Sequence, residues 1–304
     1  MAEPIVFILG AGASVPYGLP TGKELKHQIC NKPLPKILLD GMSPVQIQNF
    51  RNEWDRFVRA FKGSGQLSID RFLHKRSGYS EIGKLAISYC INSAEVEAED
   101  ALASDWMEWL YSKFSYLYPD LSDWPISFVT FNYDRLLEAS IATMQANSKG
   151  VSFEDSYEEV IKKLNIYHVY GQLDDWPDQN PKWAAGCSFH SGFKNYIDFS
   201  KGIKVIGEER EHKKGEKKLQ DAKDWISKAS TRIFLGFGFD EDNCNRIGLG
   251  RVNAQSNRGG RWVSTAYGLL AEEREHCKRV SSMELVLGKR DFGCLELMLD
   301  QISI

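Results

Sequence analysis

The chain opens on an apolar run, Ile5-Val6-Phe7-Ile8-Leu9, that stops at Gly10-Ala11-Gly12-Ala13-Ser14. A short continuous apolar run bounded by turn formers predicts a buried strand, and the glycines predict a tight turn at its end. Pro16-Tyr17-Gly18-Leu19-Pro20-Thr21-Gly22 is dense in turn residues, and a helix is expected over Lys23–Ile29. From about Pro44 to Tyr118 the period changes. Ile47, Phe50, Trp54, Phe57, Val58 and Phe61 recur at helical intervals, and Leu67–His74, Ile82–Ile91 and Leu102–Leu117 continue the pattern. Their aromatic residues, Trp106 and Trp109 among them, are expected in the core.

Strand signals return after Pro125. Ile126–Phe131 ends at Asn132-Tyr133-Asp134 and hands over to a helical run, Arg135–Met144. Asn165–Val169, ending near Gly171, and Ile203–Ile206, between Gly202 and Gly207, are further candidates for parallel strands. Ile233-Phe234-Leu235 runs into Gly236-Phe237-Gly238-Phe239-Asp240, and Met283–Leu287 precedes a helical Phe292–Gln301. Strands separated by helices predict an α/β fold, a Rossmann-like doubly wound parallel sheet with an inserted helical lobe. The lobe is expected over residues 44–121, between sheet-forming parts 1–43 and 122–304 of a single domain. Such a sheet binds ligands beyond the carboxyl ends of its strands, where the polar motifs fall.

With 304 residues, 42% apolar and 26% charged, the chain can bury a substantial core. A net charge of -3 argues against broad capture of nucleic acid or of an anionic membrane. The first apolar run is too short to span a bilayer, and Glu3 with the early glycines does not fit a secretory signal, so a cytoplasmic location is expected. Cys30, Cys90, Cys187, Cys244, Cys277 and Cys294 are scattered, as expected of reduced thiols. Cys187 and His190 have ligand-like spacing, but no second pair completes a zinc site, and no metal is expected. The charged stretch Glu208–Lys218, with His212, reads as a solvated loop or helix face.

The candidate chemistry gathers at three strand ends. Gly10 to Ser14 permits close backbone approach to an anion at a helix start, although such turns also occur where close packing is the only demand. Asn132 and Asp134 stand two apart, so in extended chain their side chains share a face; each also suits a helix cap. His168 and Tyr170 share a face if the strand continues, offering one group that titrates near neutrality and one phenol. A core histidine with a satisfied hydrogen bond is the competing account.

Taken in order, Gly10-Ala11-Gly12-Ala13-Ser14, Thr130-Phe131-Asn132-Tyr133-Asp134, His168-Val169-Tyr170-Gly171 and Leu235-Gly236-Phe237-Gly238-Phe239 resemble the SIR2-like NAD-binding domain family, from Ile5 to about Asn243. That family comprises sirtuin deacylases and a divergent branch of bacterial NAD-consuming antiphage-defence proteins, and this chain is more similar to the second. The sirtuin zinc ribbon of two C-x-x-C pairs is missing. Leu19-Pro20-Thr21-Gly22-Lys23 stands where sirtuins carry Pro-Asp-Phe-Arg, and Tyr170 fills the place of the histidine before glycine, with His168 two earlier.

The resemblance implies catalytic roles for Asn132, orienting water, and His168, accepting a proton. It implies NAD+ as substrate, held without metal by Gly10, Ala11, Gly12, Ala13 and Ser14 at the diphosphate, Gly236 and Gly238 at the adenosine half and Asp134 at the nicotinamide carboxamide. Thr130, Tyr170 and Gly171 complete the expected contacts. The expected activity is NAD+ glycohydrolysis to nicotinamide and ADP-ribose, by the NAD-depleting effector of an antiphage system. The alternatives are a non-catalytic receptor for NAD or an ADP-ribose-type nucleotide and, below it, a protein deacylase. Control by homo-oligomerisation or by a separate sensor is expected, whether a HerA-type ATPase, a short Argonaute-like protein or a HAM1-like nucleotide-sensing protein. No direct nucleic-acid or membrane partner is expected.

Overall fold

The computed structural model describes residues 3–173, 193–205, 213–249, 260–282 and 284–302. Six strands, β1 (Ile5–Leu9), β2 (Ile126–Thr130), β3 (Asn165–His168), β4 (Thr231–Leu235), β5 (Arg261–Ser264) and β6 (Val286–Leu287), form one parallel sheet in the order β3-β2-β1-β4-β5-β6. This is the strand order of a doubly wound Rossmann-type sheet, in which the winding reverses between β1 and β4.

Between β1 and β2 come α1 (Gly22–Asn31), α2 (Pro44–Gly63), α3 (Ile69–Lys75), α4 (Ser80–Glu97) and α5 (Asp105–Leu117). After β2 come α6 (Leu136–Lys149) and α7 (Phe153–Lys163), then α8 (Phe193–Ser200) and α9 (Lys213–Lys228) before β4. The chain continues with α10 (Glu241–Arg246), α11 (Ala271–Val280) and α12 (Cys294–Gln301). No helix among the described residues is long and apolar enough to cross a membrane.

Local sequence accounts for several boundaries. Thr21 and Glu24 form a reciprocal capping box at the start of α1, as do Ser43 and Gln46 at the start of α2, where Pro44 takes the first helical position. Strand alternation then divides the core. Val6 and Ile8 face one side with Val129 and Phe234, against α1 to α4 and α9. Phe7 and Leu9 face the other with Phe128, Ile233 and Leu235, against α5, α6, α7 and α12. The helices between β1 and β2 therefore share their cores with the sheet, and α4 contributes to both faces.

The expected strand over 203–206 does not form as a sheet member. Ile203 makes only an isolated antiparallel bridge to Gly171, and Ile206 lies outside the described residues, as do Cys187, His190, Gly207 and His212. Conversely, β5 and α7 carry signals that the pattern reading passed over. Trp262-Val263 is a short β-prone pair following a glycine, and Ser152 caps α7.

Phe7 and Phe128 stack at 5.3 Å between the central strands, and both are fully buried. Phe128→Ala is expected to cost about 3–5 kcal/mol through lost burial and the cavity left behind, read as a lower urea midpoint with little change in slope.

Candidate functional site

The carboxyl ends of β1, β2, β3 and β4 are level, with Leu9 beside both Thr130 and Leu235 and Thr130 beside His168. The turns after these strands meet at the point where the winding reverses. The turn after β1 docks on the turn after β4: Gly10 N–H donates to Leu235 O at 3.0 Å and Gly12 N–H to Gly236 O at 3.1 Å. A Cβ on Gly10 would lie 2.5 Å from Gly236 O, and one on Gly12 2.7 Å from Gly236 Cα. Gly236 itself sits at φ +57°, where a Cβ would run into the backbone of Gly12 and Ala13. Its N–H is held by Thr265 Oγ1 at 2.8 Å.

This arrangement differs from an open cradle of amides. Ala13 and Ser14 N–H donate to Gly10 and Ala11 carbonyls, closing a tight 3-10 turn, so the amides of Gly10, Gly12, Ala13 and Ser14 are all committed within the protein. The first α-helix begins only at Gly22. From behind, Trp106 Nε1 donates to Ala13 O at 2.9 Å and pins the turn to α5. Gly238 is different in kind: a Cβ there meets nothing within 4 Å among the described residues.

What this turn presents is the Ser14 hydroxyl. It accepts from Asn132 Nδ2 at 3.0 Å and donates to Asp134 Oδ2 at 3.1 Å. Asn132 and Asp134 converge even though β2 ends at Thr130, because one serine bridges them. Thr130 Oγ1 accepts the Asn132 N–H at 3.1 Å and so orients that residue from within the protein. Asp134 also accepts the Leu136 N–H at 3.3 Å, at the start of α6, and so serves as a cap while joining the Ser14 network. With its nitrogen engaged, Asn132 keeps its Oδ1 buried and without a hydrogen-bond partner among the described residues, the whole residue being 8% exposed.

The electrostatics of Asp134 follow from its surroundings. Burial and then the nearby Glu95 carboxylate push its carboxyl up to about 7, against the Leu136 N–H, the Ser14 hydroxyl and His168, which favour the ion. Glu95 is paired with Arg135, whose Nη2 lies 2.7 Å from Glu95 Oε2 with both side chains almost fully buried. The Arg135 N–H also donates to Glu95 Oε1 at 2.8 Å. Removing either partner would leave an uncompensated charge in the interior.

His168 is bonded at both ring nitrogens within the protein. Its Nε2 lies 2.6 Å from Glu138 Oε1 and its Nδ1 3.0 Å from the Asn132 carbonyl oxygen, so both ring nitrogens are engaged inside the protein. Burial opposes the charged ring, but Glu138 and the Asn132 carbonyl outweigh it and raise the imidazole above its ordinary range. It does not share a face with Tyr170. The strand ends at His168, which turns to α6, while Tyr170 packs with the opposite core. The Tyr170 hydroxyl donates to Asn243 Oδ1 at 2.6 Å, and Arg246 lies over its ring. Gly171, at φ +67°, has the Gly202 carbonyl where a Cβ would stand, so packing alone demands glycine there.

Helix α3 ties two of the strand ends together. The Tyr133 hydroxyl donates to Asp70, and Arg71 Nη2 lies 2.7 Å from Asp240 and 3.2 Å from Asp242, beyond β4. Phe239, just before Asp240, holds a φ of +50°, uncommon for a bulky residue. Its ring is buried against Phe234 and Phe237, and His276 Nε2 lies 3.1 Å from its carbonyl oxygen. Asp70, Arg71, Glu95, Glu138 and Thr265 were not singled out from sequence. Glu95 and Glu138 did carry a signal: each is a carboxylate on the buried face of a helix, and such residues are rarely left unpaired.

The sequence profile of the family described as "SIR2-like domain" matches residues 126–285. Among solved structures, one described as Sir2Tm bound to a propionylated peptide is similar at 15% identity and a TM-score of 0.40, over 98% of this chain and 92% of that one. Comparison with curated proteins gives no match.

The two kinds of glycine at the β4 turn are separable. Gly236→Ala is expected to cost on the order of 3 kcal/mol or more, from a strained φ and collision with the β1 turn. Gly238→Ala is expected to stay within about 0.5 kcal/mol of the parent in denaturant unfolding.

Proposed function

Because the chain belongs to the SIR2-like domain family, whose members are NAD-dependent enzymes, we propose that it is an NAD+ glycohydrolase acting at the carboxyl ends of β1, β2 and β4. The single observation that carries this reading is the unpartnered, buried Oδ1 of Asn132, held at the point where the sheet reverses its winding. An amide oxygen with its own nitrogen pinned is a fixed acceptor. It suits a water molecule or a ribose hydroxyl, and its position costs no reorganisation when the reaction begins.

In the reaction, the bond between nicotinamide nitrogen and the ribose anomeric carbon breaks, and its electron pair leaves with neutral nicotinamide. A water oxygen bonds to that carbon and gives up a proton, leaving ADP-ribose. We assign Asn132 to orient the water or an adjacent ribose hydroxyl. The proton acceptor we assign to Asp134, in place of His168, which has neither ring nitrogen available. Asp134 is one hydroxyl away from Asn132, through Ser14, and its carboxyl near 7 matches proton transfer at neutral pH. Since the leaving group is already cationic, positioning matters more than strong acid catalysis. Gly238, where a Cβ would meet nothing within 4 Å among the described residues, suits backbone approach by the nucleotide.

The engagement of both His168 ring nitrogens inside the protein favours a second reading, a receptor that binds NAD or ADP-ribose without cleaving it. Release of nicotinamide separates the two. A role as the NAD-depleting effector in antiphage defence, restrained by self-assembly or by a sensor protein, is our proposal from the sequence resemblance alone. The same assay repeated with the products of neighbouring genes addresses it.

Asn132→Ala is expected to fold, with a modestly lowered melting temperature from the lost bond to Ser14, and to lose about 100-fold or more of NAD+ turnover, followed as nicotinamide and ADP-ribose by chromatography. Turnover equal to the parent defeats the assignment. In the parent, kcat is expected to rise as pH passes through about 7, where Asp134 ionises, and Asp134→Asn is expected to remove that limb along with most of the rate.

A further inference from the structure

We propose that Glu138 is a positioning residue for Asn132, acting through His168; only its kinetic consequence rests on the hydrolase reading. The Asn132 carbonyl oxygen can only accept, so the His168 Nδ1 facing it at 3.0 Å carries a hydrogen. Nε2 stands 2.6 Å from Glu138 Oε1, a contact that requires a proton between the two atoms. The ring is thus a strut with a hydrogen bond at each end. One end rests on α6, and the other holds the peptide that carries Asn132.

Three bonds then fix Asn132: its N–H to Thr130 Oγ1, its Nδ2 to Ser14 Oγ and its carbonyl to His168. The first two set the start of the residue and the end of its side chain. The carbonyl bond holds the peptide between Asn132 and Tyr133, and so limits movement of the backbone from which the side-chain amide, oriented by Ser14, projects. Glu138 is only 2% exposed and its Oε2 has no partner among the described residues, so its burial is costly and is offset chiefly through His168. The helix bearing Glu138 is itself anchored. Asp134 accepts the Leu136 N–H, and the Arg135 pair with Glu95 holds the preceding residue, so the strut ends on a fixed support.

The test compares the full-length parent with Glu138→Gln and Glu138→Asp, with Glu159→Gln on α7 as a remote carboxylate control. Nitrogen NMR of the His168 ring, the side-chain amide signals of Asn132, and NAD+ turnover are read together. In the parent at pH 7, His168 is expected to bear hydrogen on Nδ1 and to share the second proton with Glu138. In Glu138→Gln the ring is expected to lose that proton, the Asn132 amide signals to shift, and kcat to fall about 100-fold with KM within about twofold. Glu138→Asp, which keeps the carboxylate, is expected to restore the His168 signature and part of kcat, and Glu159→Gln to change none of the three.

A variant that merely melts earlier, with Asn132 signals and kcat unchanged, overturns the proposal. If Glu138→Gln does not fold, the parent spectrum and Glu138→Asp decide: a parent ring protonated only on Nε2 overturns it equally. A parent that consumes no NAD+ defeats the hydrolase reading, while the Asn132 signals still decide the role of Glu138.

Discussion

Two turns that approach backbone to backbone set the geometry of this protein. Gly12 and Gly236 leave no room between the loops after β1 and β4 for even one methyl group. Because the β1 turn donates hydrogen bonds from Gly10 and Gly12 to the carbonyls of Leu235 and Gly236, it has one position relative to the sheet, and Ser14 is carried to Asn132 and Asp134. The glycines that resemble a phosphate cradle are in this chain spent on contact between two loops. What they position is the Ser14 hydroxyl, which reaches Asn132 and Asp134.

The second constraint is electrostatic. Between Thr130 and Glu138 nearly every polar side chain is buried and has an assigned partner: Asn132 with Ser14, Tyr133 with Asp70, Asp134 with Ser14 and Leu136, Arg135 with Glu95, Glu138 with His168. Such a network is worth having only when its members are satisfied, since a lone charge in the interior is expensive. It rigidifies one short segment at the end of a central strand. Within this segment, among the described residues, two buried acceptor atoms keep no hydrogen-bond partner, Asn132 Oδ1 and Glu138 Oε2, and of their side chains only that of Asn132 joins the Ser14 network at the strand ends.

Preorganisation of this kind fits a reaction in which the substrate supplies a good leaving group and the protein supplies position. Two carboxyl groups stand near the site: Glu95 is paired with Arg135, while Asp134 is pushed up to about 7 by burial and by Glu95. Helix α3 contributes from the far side, holding Tyr133 through Asp70 and the loop beyond β4 through Arg71. The long helical stretch between β1 and β2 thus reaches the strand ends and shares the core of the sheet on both faces.

Sequence by itself determined the alternation of strands and helices, the parallel doubly wound class, and the strand ends at Leu9 and Leu235, with those expected at Phe131 and Val169 each falling one residue earlier, at Thr130 and His168, because burial imposes period and length on local composition. It also placed Asn132, Asp134 and Ser14 among the candidates, though at separations of up to 120 residues it carried no information that one hydroxyl would join them. Local pattern gives no strand at β5 and a strand at Ile203 where only a bridge forms, since pairing partners and not propensity decide strands of that length. Tertiary structure alone decided the fate of His168. Two residues beyond it the strand has ended, so the alternation that would have set it beside Tyr170 no longer holds, and Glu138, thirty residues away, captures its ring. Local pattern fixes which face of an element is buried, but which polar groups meet across that face depends on elements that the pattern cannot relate.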